Sequence, residues 1–146
     1  MARRLVLVAL STVVVLGLVA CSSAEMTYVT EGGTYTAVSV EELATTIEEP
    51  SFADERVEDV SALRGDQLTA LRADGGSAAT LADILTSEFP TDTASVPYYA
   101  EEATVDGQEA WVVLEAWGSS GGMLDKERLW VLRRESGEIV LSSVFN

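Results

Sequence analysis

Apolar side chains follow three rhythms along this chain. From Leu5 to Ala20 they are almost continuous, from Val40 to Phe89 they recur at helical spacing, and from Tyr98 to Phe145 they alternate with polar residues. Period 3.6 marks amphipathic helix and period 2 marks half-buried strand. Thr34–Val38 is a short β-prone run. Ser39 followed by Glu42 reads as a capping box that opens a helix to about Glu48, with Leu43 and Ile47 on one face and Pro50 as its stop. In residues 51–76, Val57, Val60 and Leu63 fit helical spacing loosely, Gly65 interrupts, and Gln67–Ala73 forms a further segment with Leu68 and Leu71 inward. Ser77–Phe89 is the clearest helix: Ser77 is a good N-cap, Leu81, Ile84, Leu85 and Phe89 share a stripe, and Pro90 ends it.

The last fifty residues predict four strands in sequence: Tyr98–Val105, Gln108–Trp117, Lys126–Arg134 and Glu138–Phe145. Asp106-Gly107 is a two-residue hairpin signal, because a type I′ turn needs positive φ at both central positions. Gly118–Gly122 reads as a flexible loop and Ser136-Gly137 as a turn. Alternation places Ala110, Val112, Leu114 and Ala116 on one face and Trp111, Val113 and Trp117 on the other, and sets Leu129 and Val131 against Trp130 and Leu132. The predicted fold class is α+β: two or three short helices packed on a four- to five-stranded antiparallel sheet, with a C-terminal meander. Helices should cover one sheet face and leave the other with a partly exposed aromatic strip. In layout this resembles the cystatin-like α+β rolls, and no residue or activity is carried over from them.

The amino-terminal run is too short to be an ordinary membrane span. Leu5–Ala20 is sixteen residues, about 24 Å of helix at about 1.5 Å per residue, against about 30 Å of hydrocarbon. Behind Arg3-Arg4 it reads as a secretory signal. The junction Leu18-Val19-Ala20-Cys21, followed by polar Ser22-Ser23-Ala24, resembles the lipobox of bacterial lipoproteins. That resemblance covers residues 1–21 and implies a diacylglyceryl thioether on Cys21, cleavage before it, and fatty acylation such as palmitate on the new amino terminus. Each buried methylene adds about 0.8 kcal/mol, so two or more chains anchor stably. The expected organisation is a signal peptide at 1–20, a lipidated N-terminus and tether at 21–33, and one domain at 34–146. The expected location is the cell envelope, on the outer face of the plasma membrane or, in a two-membrane bacterium, on the outer membrane.

Charge narrows the partners. Residues 1–20 hold Arg3, Arg4 and no acid, so the rest of the chain has 7 basic and 24 acidic residues, a net charge of −17. That argues against nucleic acid and against docking on anionic lipid headgroups through protein charge. The chain has no His, and Cys21 is its single cysteine, so imidazole and thiol chemistry have no residue to use and no cofactor or metal is expected. Carboxylate pairs such as Glu48/Glu49, Glu58/Asp59 and Glu101/Glu102 are expected from acid content alone. Arg64-Gly65-Asp66 matches an integrin-recognition tripeptide that no surrounding feature supports.

The expected function is a non-enzymatic binding or accessory module, lipid-anchored in the envelope, with another envelope protein as its partner. The alternatives are a small-ligand or lipid-binding lipoprotein with an apolar pocket, and an envelope hydrolase built on paired carboxylates. The expected interaction surface is Trp117, Trp130, Met123 and Leu124 around the glycine loop, since loops on a rigid scaffold carry contacts and Trp is enriched in them.

Overall fold

A computed structural model of the chain describes residues 25–50, 52, 60–87, 89, 94–118 and 124–145. The signal, the lipobox and Cys21 lie outside the described residues. The elements are β1 (Thr27–Val29), β2 (Thr34–Tyr35), α1 (Ala37–Ala44), α2 (Val60–Ala73), α3 (Gly76–Ser87), β3 (Ala94–Val105), β4 (Gln108–Gly118), β5 (Lys126–Arg133) and β6 (Ile139–Phe145). The fold is α+β, with three short helices on a mostly antiparallel sheet. Strand order is β1-β3-β4-β5-β6, and β2 also pairs with β3.

The meander forms because its turns have the right chemistry. Asp106 and Gly107 take φ of 48° and 78°, as a type I′ turn demands, and β3 and β4 pair from Val105↔Gln108 outward. A register shift between Pro97 and Tyr99 places Tyr98 and Tyr99 in the same core cluster, where strict alternation would separate them.

Two expectations about the edges change. The segment expected to be tether contributes a strand, β1, and the β-prone run from Thr34 supplies β2, both parallel to β3: Thr27 lies opposite Tyr99 and Thr34 opposite Thr104. The ordered chain therefore starts before residue 34, and the sheet exceeds the four or five antiparallel strands expected. Helix α1 starts earlier than its apparent cap. Thr36 is the N-cap, its Oγ1 accepting from the Ser39 backbone N–H at 3.2 Å while Ser39 Oγ accepts from the Thr36 N–H at 2.8 Å. Ser39 thus sits at N3, and Val40 and Ala44 become the fully buried pair, with Leu43 and Ile47 half-buried beside them. Gly65 does not interrupt: α2 runs through it on an exposed face.

Both sheet faces are covered, against the expectation of one open aromatic face. Val40, Ala44, Phe52 and Val60 pack on Val96, Val112, Leu114, Ala116, Leu129 and Val131. Leu68, Leu71, Leu81, Ala82, Leu85 and Phe89 from the α2–α3 side pack on Trp111, Val113, Trp130 and Leu132. The aromatic face is the more apolar in bulk, and burying it under a helix pair removes more area from water than leaving it as a strip. This three-layer arrangement departs from a roll with one covered face.

Candidate functional site

Of the four residues expected to form one surface, Trp117, Trp130 and Leu124 fall among the described residues. Trp130 is 8% exposed and Leu124 5% exposed, so both are core residues and are withdrawn from the surface. Phe89 meets the Trp130 ring edge-on at 5.0 Å, which takes up the face the sequence left open. Met123 lies outside the described residues. Trp117 is half-buried, with Lys126 Nζ 4.8 Å and the Arg128 guanidinium 4.6 Å from its ring centre. Arg128 also lies 4.9 Å from the Trp130 ring. Burial lowers its pKa, opposed by Glu115 and reinforced by Arg64.

Beneath this ladder is a buried ion pair that sequence reasoning missed. Arg64 Nη1 donates to Glu115 Oε1 at 2.9 Å and to Ser95 Oγ at 3.0 Å, and its Nη2 donates to the Leu85 carbonyl at 2.9 Å. Trp130 Nε1 donates to Glu115 Oε2 at 2.9 Å. One guanidinium thereby ties α2, α3, β3 and β4 together. The Arg64-Gly65-Asp66 tripeptide is held in helix with its arginine turned inward, which removes the recognition-loop reading. No local sequence signal joins positions 64 and 115. Only the acid in an otherwise apolar stretch of β4 hints that a cation must meet it.

The opposite end of the sheet carries an open, polar cleft of about 730 Å³ lined by Ser77, Gln108, Glu109, Trp111, Arg133 and Arg134 among others. Ser77 serves neighbours here: Trp111 Nε1 donates to its Oγ at 3.1 Å. Arg134 pairs with Glu102 at 3.0 Å, and Glu102 accepts from Tyr28 Oη at 2.7 Å. Arg134 of this cleft is thus matched by Glu102.

Carboxylates fall differently from the adjacent pairs in the sequence. Glu101 lies at 3% exposure in the α1-side layer and accepts from Tyr99 Oη at 2.8 Å, whereas Glu102 points to the α3 side, so the two do not face each other. Burial and the Glu101 carboxylate raise the pKa of Tyr99, and they do the same to Tyr35. Glu58 and Asp59 lie outside the described residues. Glu49 meets Glu127 of β5: burial, and then that second carboxylate, push Glu49 up to about 7. The buried Tyr98 hydroxyl faces this pair, and burial followed by the two acids raises its pKa.

Strand β6 closes one side of the sheet. Its sequence, Ile139 to Phe145, has no charged residue and no proline. Ile139, Val140 and Val144 are 46%, 44% and 53% exposed, and only Val38 joins them as a large exposed apolar side chain among the described residues. An open groove of about 480 Å³ between α3 and Ile139 shows where α3 stops short of this strand.

No known family, curated protein or solved structure matches this chain.

Proposed function

We propose that this chain is a bacterial lipoprotein, held at the envelope by acyl chains on Cys21, and that its domain works by binding an extended segment of another envelope protein along β6. The observation that carries the binding element is the outer edge of β6, which pairs with no further strand among the described residues and carries no charge over seven positions. Such an edge presents N–H and C=O groups in a row and is a template on which another backbone strand can pair. Soluble domains normally blunt such an edge with charge or proline, and this one does neither.

Charge selects the occupant. A second copy would bring two domains of −17 edge to edge, which self-repulsion opposes. A neutral or basic segment is favoured by the net negative charge of the domain, with Glu127 opposite Phe145 of β6 and Ser143 of β6 donating directly to Glu41.

The test places photo-crosslinking side chains at Val140, Ser142 and Val144 of the membrane-anchored full chain and maps the crosslinked residues by mass spectrometry. The reading expects alternate residues of one extended segment in another protein, and loss of those crosslinks in Val140→Lys. Crosslinks to a second copy of this chain, or none from any of the three positions, would overturn it.

A further inference from the structure

We infer that the end of the sheet carrying Trp117, Lys126 and Arg128 docks on the bilayer surface, so that the protein stands in one fixed orientation on its membrane. This rests on the lipid-anchoring reading above. The argument begins with strand direction. β1 runs parallel to β3, with Thr27 opposite Tyr99. Going backward from Thr27, the chain therefore approaches from the end of the sheet where β3 begins, at Ala94. That same end holds Gly118, opposite Ala94, and Trp117, opposite both Ser95 and Lys126.

The length of chain outside the described residues fixes how far that end can stand from the lipid. Three residues separate Cys21 from Glu25, so Cys21 lies within about 14 Å of Glu25 at about 3.5 Å per residue. Glu25 is itself two residues before Thr27, roughly 7 Å nearer the Ala94 end if extended. Trp117 is two strands across from β1, roughly 10 Å away. A lipid on Cys21 is therefore tethered close to this end of the sheet. The β3–β4 hairpin and the Arg134 cleft are then turned outward.

The residues at that end have the right chemistry for headgroups. Tryptophan prefers the membrane–water boundary, where its ring is apolar and its N–H is wet. Lys126 and Arg128, two of the nine basic residues of a strongly acidic protein, stand against the Trp117 ring beside Asp125 and Glu127, while Arg64 beneath them is taken up by Glu115.

The test uses the lipidated full chain, its acyl mass on Cys21 first confirmed, in vesicles of phosphatidylcholine and phosphatidylglycerol with bromine on the acyl chains near the headgroups. Bromine quenches tryptophan on contact. Of the three tryptophans only Trp117 should be quenched, and Trp117→Phe should abolish quenching. A reporter at the far end, Glu109→Trp, should add fluorescence that the brominated lipid leaves intact. Equal quenching in wild type and Trp117→Phe, or quenching of the Glu109→Trp reporter, would overturn the orientation while leaving the anchor standing. Absence of acyl mass on Cys21 would instead remove the anchoring reading itself.

Discussion

Replacing Arg64 should cost more than replacing the acid it pairs with, and the reason is unequal burial. The Arg64 side chain is 20% exposed and that of Glu115 is 1% exposed. In Arg64→Met the carboxylate keeps its bond from Trp130 Nε1 but loses its nearest cation, and the Leu85 carbonyl and Ser95 hydroxyl lose their donor. Stranding a buried charge usually costs about 3–5 kcal/mol. Arg128 sits opposite Glu115 in the strand register and offsets part of this, so the expected loss is about 3 kcal/mol. In Glu115→Gln the amide oxygen still accepts from Trp130, and Arg64 can lean toward water, so about 1 kcal/mol is expected. The double variant Arg64→Met/Glu115→Met leaves no charge unpaired and should lose less than Arg64→Met alone. Urea titrations of the three variants decide this, provided their slopes match that of wild type. A loss below about 1 kcal/mol for Arg64→Met, or a larger loss for Glu115→Gln, would refute the reasoning.

Two further predictions concern backbone space and protonation. A Cβ on Gly32 would stand 2.4 Å from the Glu102 carbonyl and 3.0 Å from Glu101 Cδ, whereas one on Gly65 meets nothing within 4 Å; Gly32→Ala should lower thermal stability by about 1–3 kcal/mol, and Gly65→Ala should raise it by about 0.5–1 kcal/mol. Glu49 is held near 7 in the fold, above its unfolded value, so its contribution is complete at pH 4 and lost as pH rises through 7; Glu49→Gln should therefore leave stability unchanged at pH 4 and raise it by about 1–2 kcal/mol at pH 8, after allowance for solvent screening, and equal effects at both pH values would contradict the Glu49–Glu127 contact.

Local chemistry made most of the fold legible. The Asp106-Gly107 turn, the alternation of β4 and β5 and the Leu81–Leu85–Phe89 stripe all act within a few residues, and the structure keeps each of them. What escaped depends on distant partners. Three residues at Thr27–Val29 have no period to read, and become a strand because β3, some seventy positions later, offers them an edge. Gly65 looked like a break because propensity is local, while Leu68 and Leu71 beyond it and Val60 before it gain enough burial to carry the helix through. The surface suffered similarly. Trp117 shares a face with Trp111 as the alternation of β4 predicts, but that face is packed under α2 and α3 where an open aromatic strip is expected, and its neighbour Trp130 is sealed by Phe89 and by a carboxylate whose cation lies 51 positions away. The exposed edge at β6 was a visible apolar run, but whether another strand covered it is a matter of sheet order.

Anchoring through Cys21 is the claim on which both the location and the orientation depend. Its most direct test is the intact mass of the protein recovered from bacterial membranes, with fragmentation of its first peptide. The account predicts a chain beginning at Cys21 and carrying a diacylglyceryl group, with the mass of the fatty acids lost in Cys21→Ser. A mature protein that retains residues 1–20, or begins at Cys21 with an unmodified thiol, would contradict it.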